Sequence, residues 1–276
     1  MKNFVLKLKK SPYIVWFFFG LILSYSWSFW SVAILMGKDC MTFPTIIFYA
    51  LGGIGPSFIA LILVFVLYDK EQKQDFKART VQIKRLGIKW YFVMFILVIV
   101  PIFLSMFIAS LIWDDITFIE ELSTFSFAVM MPFYLSFLVA AVLMEEFGWR
   151  GLALDQLQAN YSSFTSSLMV GIIWSLWHFP LYFIKGTFHN SLGFGSVEFF
   201  LYSLDIIPGA IIYTWIYNNN DRSILSAIIF HFLGNFISEM FEIQMRVQFV
   251  RLFFSISIAL VLVIVYGKEN LKNIKT

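Results

Sequence analysis

Cysteine is almost absent: Cys40 stands alone in a chain of 276 residues. One thiol excludes an intramolecular disulfide framework, a Cys-based zinc site and a C-x-x-C redox pair, so any metal would rest on histidines and carboxylates. Charge is equally scarce. Only 13% of the residues are Asp, Glu, Lys or Arg, about half the share of an ordinary soluble domain. Against this, 60% are apolar and 20% aromatic, and the mean hydropathy is +0.81. A water-soluble globule is excluded. The net charge of +3 is small, and no basic patch marks a nucleic-acid partner. Internal repeats, low-complexity linkers and a second soluble domain are also missing.

Long apolar runs are what the chain has. A span needs about 20 predominantly apolar residues, and eight runs qualify: approximately 13–36, 43–68, 90–113, 124–144, 163–184, 196–217, 223–241 and 247–266. The fold class is therefore an all-α polytopic membrane protein, a bundle of about eight transmembrane helices read as one domain over 1–276. The first run is longer than a signal peptide's apolar region and has no small-x-small cleavage site, which predicts a retained anchor. With an inside N-terminus, sixteen of the twenty lysines and arginines fall on inner segments; Lys38, Lys185, Arg246 and Arg251 fall outside or at the outer edge. That bias predicts two cytoplasmic termini. The composition suggests a bacterial inner membrane. The basic 69–89 stretch is expected to rest on anionic headgroups, and the Gly52-Gly53-x-Gly55-Pro56 cluster to bend the second span.

An ionisable side chain at mid-membrane costs about 2.5–3.5 kcal/mol on insertion scales, so such residues tend to line a bundle interior or a wet cavity. Most of those here lie in the second half of the chain, in a motif-bearing stretch of about 124–241. Glu145 and Glu146 leave the apolar part of the fourth span at its inner end. Glu146 and Arg150 are four apart, a favourable i,i+4 pair; if the helix continues through Gly148, Glu145 points about 100° away and is free for other work. Trp174 and His178 share a face of the fifth span, with Pro180 placed to bend it. His231 and Asn235 share a face of the seventh. Asp205 is a candidate supporting group, Glu239 extends the His231/Asn235 face near the outer end, and His189 reads as a solvated turn residue. Amide hydrolysis needs a base on water and donors aimed at an oxyanion. A carboxylate, an imidazole and a His/Asn donor pair supply that set without a serine or cysteine nucleophile.

Glu145-Glu146-x-x-x-Arg150, Trp174-x-x-x-His178 and His231-x-x-x-Asn235, in this order on successive late spans, resemble the CPBP family of intramembrane proteases, which includes CAAX prenyl endopeptidases and bacteriocin self-immunity proteins. The resemblance implies a catalytic cavity open to membrane and cytoplasm. It implies catalytic roles for Glu145 as general base, His178 as its assistant, and His231 and Asn235 as oxyanion donors, with Glu146, Arg150 and Trp174 supporting. Where this chain has Trp174 the family usually has Phe, which is expected to alter cavity shape more than chemistry. The implied partners are the lipid bilayer and a membrane-associated peptide or protein substrate, lipidated in the case of a prenylated CAAX tail. No cofactor is expected. A zinc ion on one Glu and two His is the alternative, disfavoured because no H-E-x-x-H helix is present and asparagine is a poor zinc ligand. The competing functions are a noncatalytic immunity or scaffold protein binding a peptide in the same cavity and, disfavoured by the lack of an inverted repeat, a small transporter.

Overall fold

The computed structural model describes residues 13–123, 132–241 and 243–272, and all regular structure within them is helical. Five helical stretches are each long and apolar enough to cross a bilayer: α1 (Ile14–Met36), α5 (Ile88–Ile112), α9 (Ser163–Trp177) with its 3-10 continuation Phe179–Phe183, α11 (Val197–Asn219) and α13 (Met245–Tyr266). A sixth is the pair α2 (Thr45–Gly53) and α3 (Gly55–Leu67), bent by 51° at their break. α7 (Pro132–Glu146) and the 16-residue α12 (Ile224–Glu239) take the two remaining predicted positions; the first part of the fourth run, 124–131, lies outside the described residues. The protein is an integral membrane helical bundle. Short helices α4 (Lys70–Val81), α6 (Phe118–Ser123), α8 (Asp155–Leu157) and α10 (Phe188–Leu192) complete the order.

Local chemistry sets the helix starts. Ser162, Ser196 and Ser223 cap α9, α11 and α12 by accepting from the backbone N–H of Thr165, Phe199 and Ser226, each cap worth about 1 kcal/mol. Asp69 and Gln72 form a reciprocal capping box on α4. The bend between α2 and α3 falls in the glycine cluster, and those glycines also permit contact: a Cβ on Gly52 would stand 2.4 Å from the Trp30 ring. Half of the α9 and α11 spans is buried against 17% for α13. The first two are therefore central, and α13 presents Phe253 and Ile264 outward to lipid. Small residues let α9 and α11 approach, with Ser167 Oγ donating to Thr214 Oγ1 at 2.7 Å and Gly171 set against Ala210, as membrane helix contacts favour.

Two expectations change in the bundle. The fourth span does not stop at the glutamates. α7 runs on as a π-helical segment, Phe147–Leu154, and then α8, so Glu145 and Glu146 lie inside a continuous helix and not at a solvated end. Gly148 makes this possible, since a Cβ there would meet the Pro56 carbonyl oxygen at 2.6 Å. Nor is the 69–89 stretch only a headgroup-facing loop. Arg79 is 1% exposed; it donates to Tyr217 Oη at 2.7 Å, pairs with Asp75 at 2.9 Å and points at the Gly151 carbonyl, fastening α4 to the π segment. A buried arginine with several partners outweighs a single surface headgroup contact.

Candidate active site

The adjacent glutamates occupy opposite environments, as the i,i+4 reading requires. Glu146 has no exposed surface; its Oε1 accepts from Arg150 Nη1 at 2.8 Å and from His231 Nδ1, also at 2.8 Å. The carboxylate can only accept, so the His231 Nδ1 carries a proton and its Nε2 points elsewhere. Arg150 lies between two aromatic faces, 4.3 Å from the Trp174 ring centroid and 3.9 Å from that of Tyr213, where cation–π attraction adds to the ion pair. This trio crosses from the fourth span to α12 and fixes the rotation of the His231 ring.

Glu145, half-buried, faces another way. Its Oε2 accepts the indole N–H of Trp174 at 2.7 Å and of Trp149 at 3.2 Å, while Oε1 makes no hydrogen bond among the described residues. The expectation that Trp174 matters mainly for cavity shape is thus corrected: its N–H bonds Glu145 directly, which phenylalanine could not do. Its backbone oxygen accepts from His178 Nδ1 at 2.8 Å, leaving the Nε2 lone pair of neutral His178 available. Its ring meets His231 edge-on at 5.5 Å. His178 is 6% exposed and stands within electrostatic reach of Glu145 and His231, with no direct hydrogen bond to either. Helix α9 ends at Trp177, one residue before it, and Pro180 opens the 3-10 turn that follows. Asn235, half-buried one turn beyond His231 on α12, makes no side-chain hydrogen bond among the described residues.

The bundle therefore brings Glu145, Glu146, Arg150, Trp174, His178 and His231 together, with Asn235 on the same face of α12. It also adds members. Trp149 is four residues from Glu145, a spacing that could have been read as an indole–carboxylate pair. His189 is not a solvated turn residue: its ring stacks on His178 at 5.0 Å and 22°, edge-on to Tyr202 and Tyr182. Burial pushes its imidazole well below its ordinary pKa, and its Nε2 has no hydrogen-bond partner among the described residues. Nothing in the polar string around it signalled that contact. Glu239 is exposed. Among the described residues no three His, Cys, Asp or Glu side chains gather as a metal-binding group. A surface pocket of about 320 Å³ between α4 and α8, lined by Tyr68, Asp75, Arg79, Asp155 and Arg222, contains none of the motif residues.

Fold and side chains together describe a class, an integral membrane helical bundle with a buried, acid- and imidazole-lined site on its late helices. Comparison with known proteins narrows it. A family model described as type II CAAX prenyl endopeptidase Rce1-like matches residues 126–237. A curated CAAX prenyl protease 2 from Methanococcus maripaludis is 35% identical over 232 residues, covering 84% of this chain and 81% of the relative. The chain belongs to the Rce1-like CAAX prenyl endopeptidase family, and so to the intramembrane proteases.

Proposed function

We propose that this protein is an active endopeptidase that hydrolyses a peptide bond in a membrane-associated substrate ending in a prenylated C-a-a-X tail, with Glu145 as general base and without a metal. The observation that carries the reading is the split between the two glutamates. Glu146 is fully buried and held through one oxygen by both Arg150 and His231, while Glu145 is half-buried and, among the described residues, keeps one oxygen without a hydrogen bond beside an imidazole. In this mechanism water sits at Glu145 Oε1, with the His178 Nε2 lone pair as its second acceptor. The water oxygen attacks the substrate carbonyl carbon and its proton passes to Glu145. Negative charge gathers on the carbonyl oxygen, where His231, doubly protonated with its Nδ1–H on Glu146, donates from Nε2 and the Asn235 amide donates beside it. Glu145 then returns its proton to the departing nitrogen as the C–N bond breaks, and an acid and an amine leave. Asn235, paired with His231 on α12, is a poor zinc ligand where a second strong one would be needed, which is the argument for metal-free chemistry. The lysine and arginine distribution supports cytoplasmic termini.

Purified protein in lipid vesicles, given a farnesylated C-a-a-X peptide, is expected to yield two products by mass spectrometry, at a rate unchanged by a zinc chelator. Stoichiometric bound zinc together with loss of turnover on chelation would overturn the metal-free mechanism. Binding of the peptide without cleavage would favour the scaffold alternative. Within the same assay Trp174→Phe keeps an aromatic filler and removes the donor to Glu145. The expected outcome is a fall in kcat of about tenfold, the scale of one hydrogen bond to a charged group, with a smaller change in KM. Trp149→Phe, losing the longer bond, should cost less.

A further inference from the structure

Helix α13 carries a charge that the proposed hydrolysis does not use. Arg251 donates from Nη2 to Asp205 Oδ2 on α11 at 3.2 Å and from Nη1 to Ser238 Oγ on α12 at 3.4 Å. Arginine and carboxylate frequently pair through two parallel bonds. Here the pair meets through one oxygen. The other, Asp205 Oδ1, is buried with no hydrogen-bond partner among the described residues, and the Arg251 side chain remains 25% exposed. A guanidinium has five N–H donors, so most of this one's are uncommitted among the described residues. Arg251, expected outside or at the outer edge, lies against two neighbouring helices. An ionisable pair inside membrane helices commonly marks a functional site, and a partly satisfied one is costly to keep.

Its place relative to the candidate site follows from α12. His231, Asn235 and Ser238 are spaced i, i+4, i+7, on one helical face, so the level of Ser238 is about 10 Å along the axis from His231. Tyr202 bridges the same interval from α11. Its ring is edge-on to His178 at 5.9 Å, and it stands within electrostatic reach of Glu145 at one end and of Asp205 and Arg251 at the other. A C-a-a-X tail has three residues after its cysteine, and three extended residues span about 10 Å. The cation is thus about one tripeptide along α12 from the level of His231, where the carbonyl oxygen of the cleaved bond would lie.

Resting on the endopeptidase reading above, we propose that Arg251 binds the free C-terminal carboxylate of the substrate, so that the site selects the third peptide bond from the chain end. Asp205 and Ser238 hold the guanidinium over the passage and keep it from extending toward headgroups, as arginines near a membrane boundary otherwise do. The arriving carboxylate takes the uncommitted donors. A substrate with a blocked terminus has no charge to offer them, and a longer chain puts its carboxylate out of register.

The test compares two farnesylated peptides identical except for a terminal carboxylate or carboxamide, cleaved by the full-length protein in vesicles. The quantity read is the ratio of their kcat/KM values within one preparation, which cancels any difference in folded fraction. The wild-type protein should favour the carboxylate by about tenfold or more. Arg251→Gln should bring the ratio to near one, and Arg251→Lys should keep part of the preference. Asp205→Asn, which loosens the hold on the guanidinium, should also lower the ratio, though less than Arg251→Gln. Equal cleavage of the two peptides by the wild type, or an undiminished ratio in Arg251→Gln, would overturn the assignment, since a purely fastening role leaves the ratio unmoved. Folded wild-type protein that cleaves neither peptide would defeat the endopeptidase reading itself, a result distinguishable from either of these.

Discussion

Glu145→Gln should abolish turnover, by about 10²- to 10⁴-fold, the range of a lost general base, while leaving the fold intact. The reason lies in how the side chain is held. Its Oε2 accepts two indole N–H bonds, and a glutamine carbonyl oxygen can accept the same two. The other position becomes an NH₂, which cannot take a proton from water. Volume, packing and the Trp149 and Trp174 contacts are retained, so the melting temperature in detergent should move by only a few degrees. Paired measurements of kcat and Tm separate chemistry from structure. A Glu145→Gln protein that cleaves peptide as fast as the wild type would sink the assignment of Glu145 as base.

The largest stability loss is expected at Arg150. This side chain is 1% exposed, its carboxylate partner is fully buried, and two aromatic rings enclose it. Removing one member of a buried ion pair strands the other, at a cost of about 3–5 kcal/mol. Arg150→Met should therefore unfold much more readily in a denaturant titration. Glu146→Gln combined with Arg150→Met should lose less than Arg150→Met alone, because no bare carboxylate is left behind. The two substitutions should couple by more than about 1 kcal/mol, as groups in direct contact do. Strictly additive losses would mean that the pair contributes nothing beyond its separate packing. Arg150→Lys tests the stack: a lysine keeps the charge but not the planar cation between Trp174 and Tyr213.

How much of this could be read in advance depends on what carries the signal. Apolar runs against isolated charges located the spans, because a membrane makes mean hydropathy informative. The glycines and proline at 52–56 announced the bend, and helical spacing correctly paired Glu146 with Arg150 and separated Glu145. The failures have a common cause: hydropathy averages a segment and does not see its faces. Arg79 lies in the most polar stretch of the chain yet is buried by Tyr217 and Asp155, which are distant in sequence. His189 sits in a short polar helix, and only the fold brings it over His178. Trp174 was legible as an aromatic, but its N–H acquires meaning only when the fourth span supplies a carboxylate at 2.7 Å. Hydropathy also ended the fourth span at the glutamates, since the glycines and arginine that follow lower the average although the helix continues.

The π segment at Phe147–Leu154 bears on which changes in length the chain can tolerate. A π turn is a helix that has absorbed an extra residue, so everything after it is rotated by about 100° relative to an uninterrupted α-helix. Removing one residue within this turn should let it close to plain α-helix while the segments on either side keep their places. A one-residue change in length, which would turn the far part of an ordinary helix off its partners, can be taken up here.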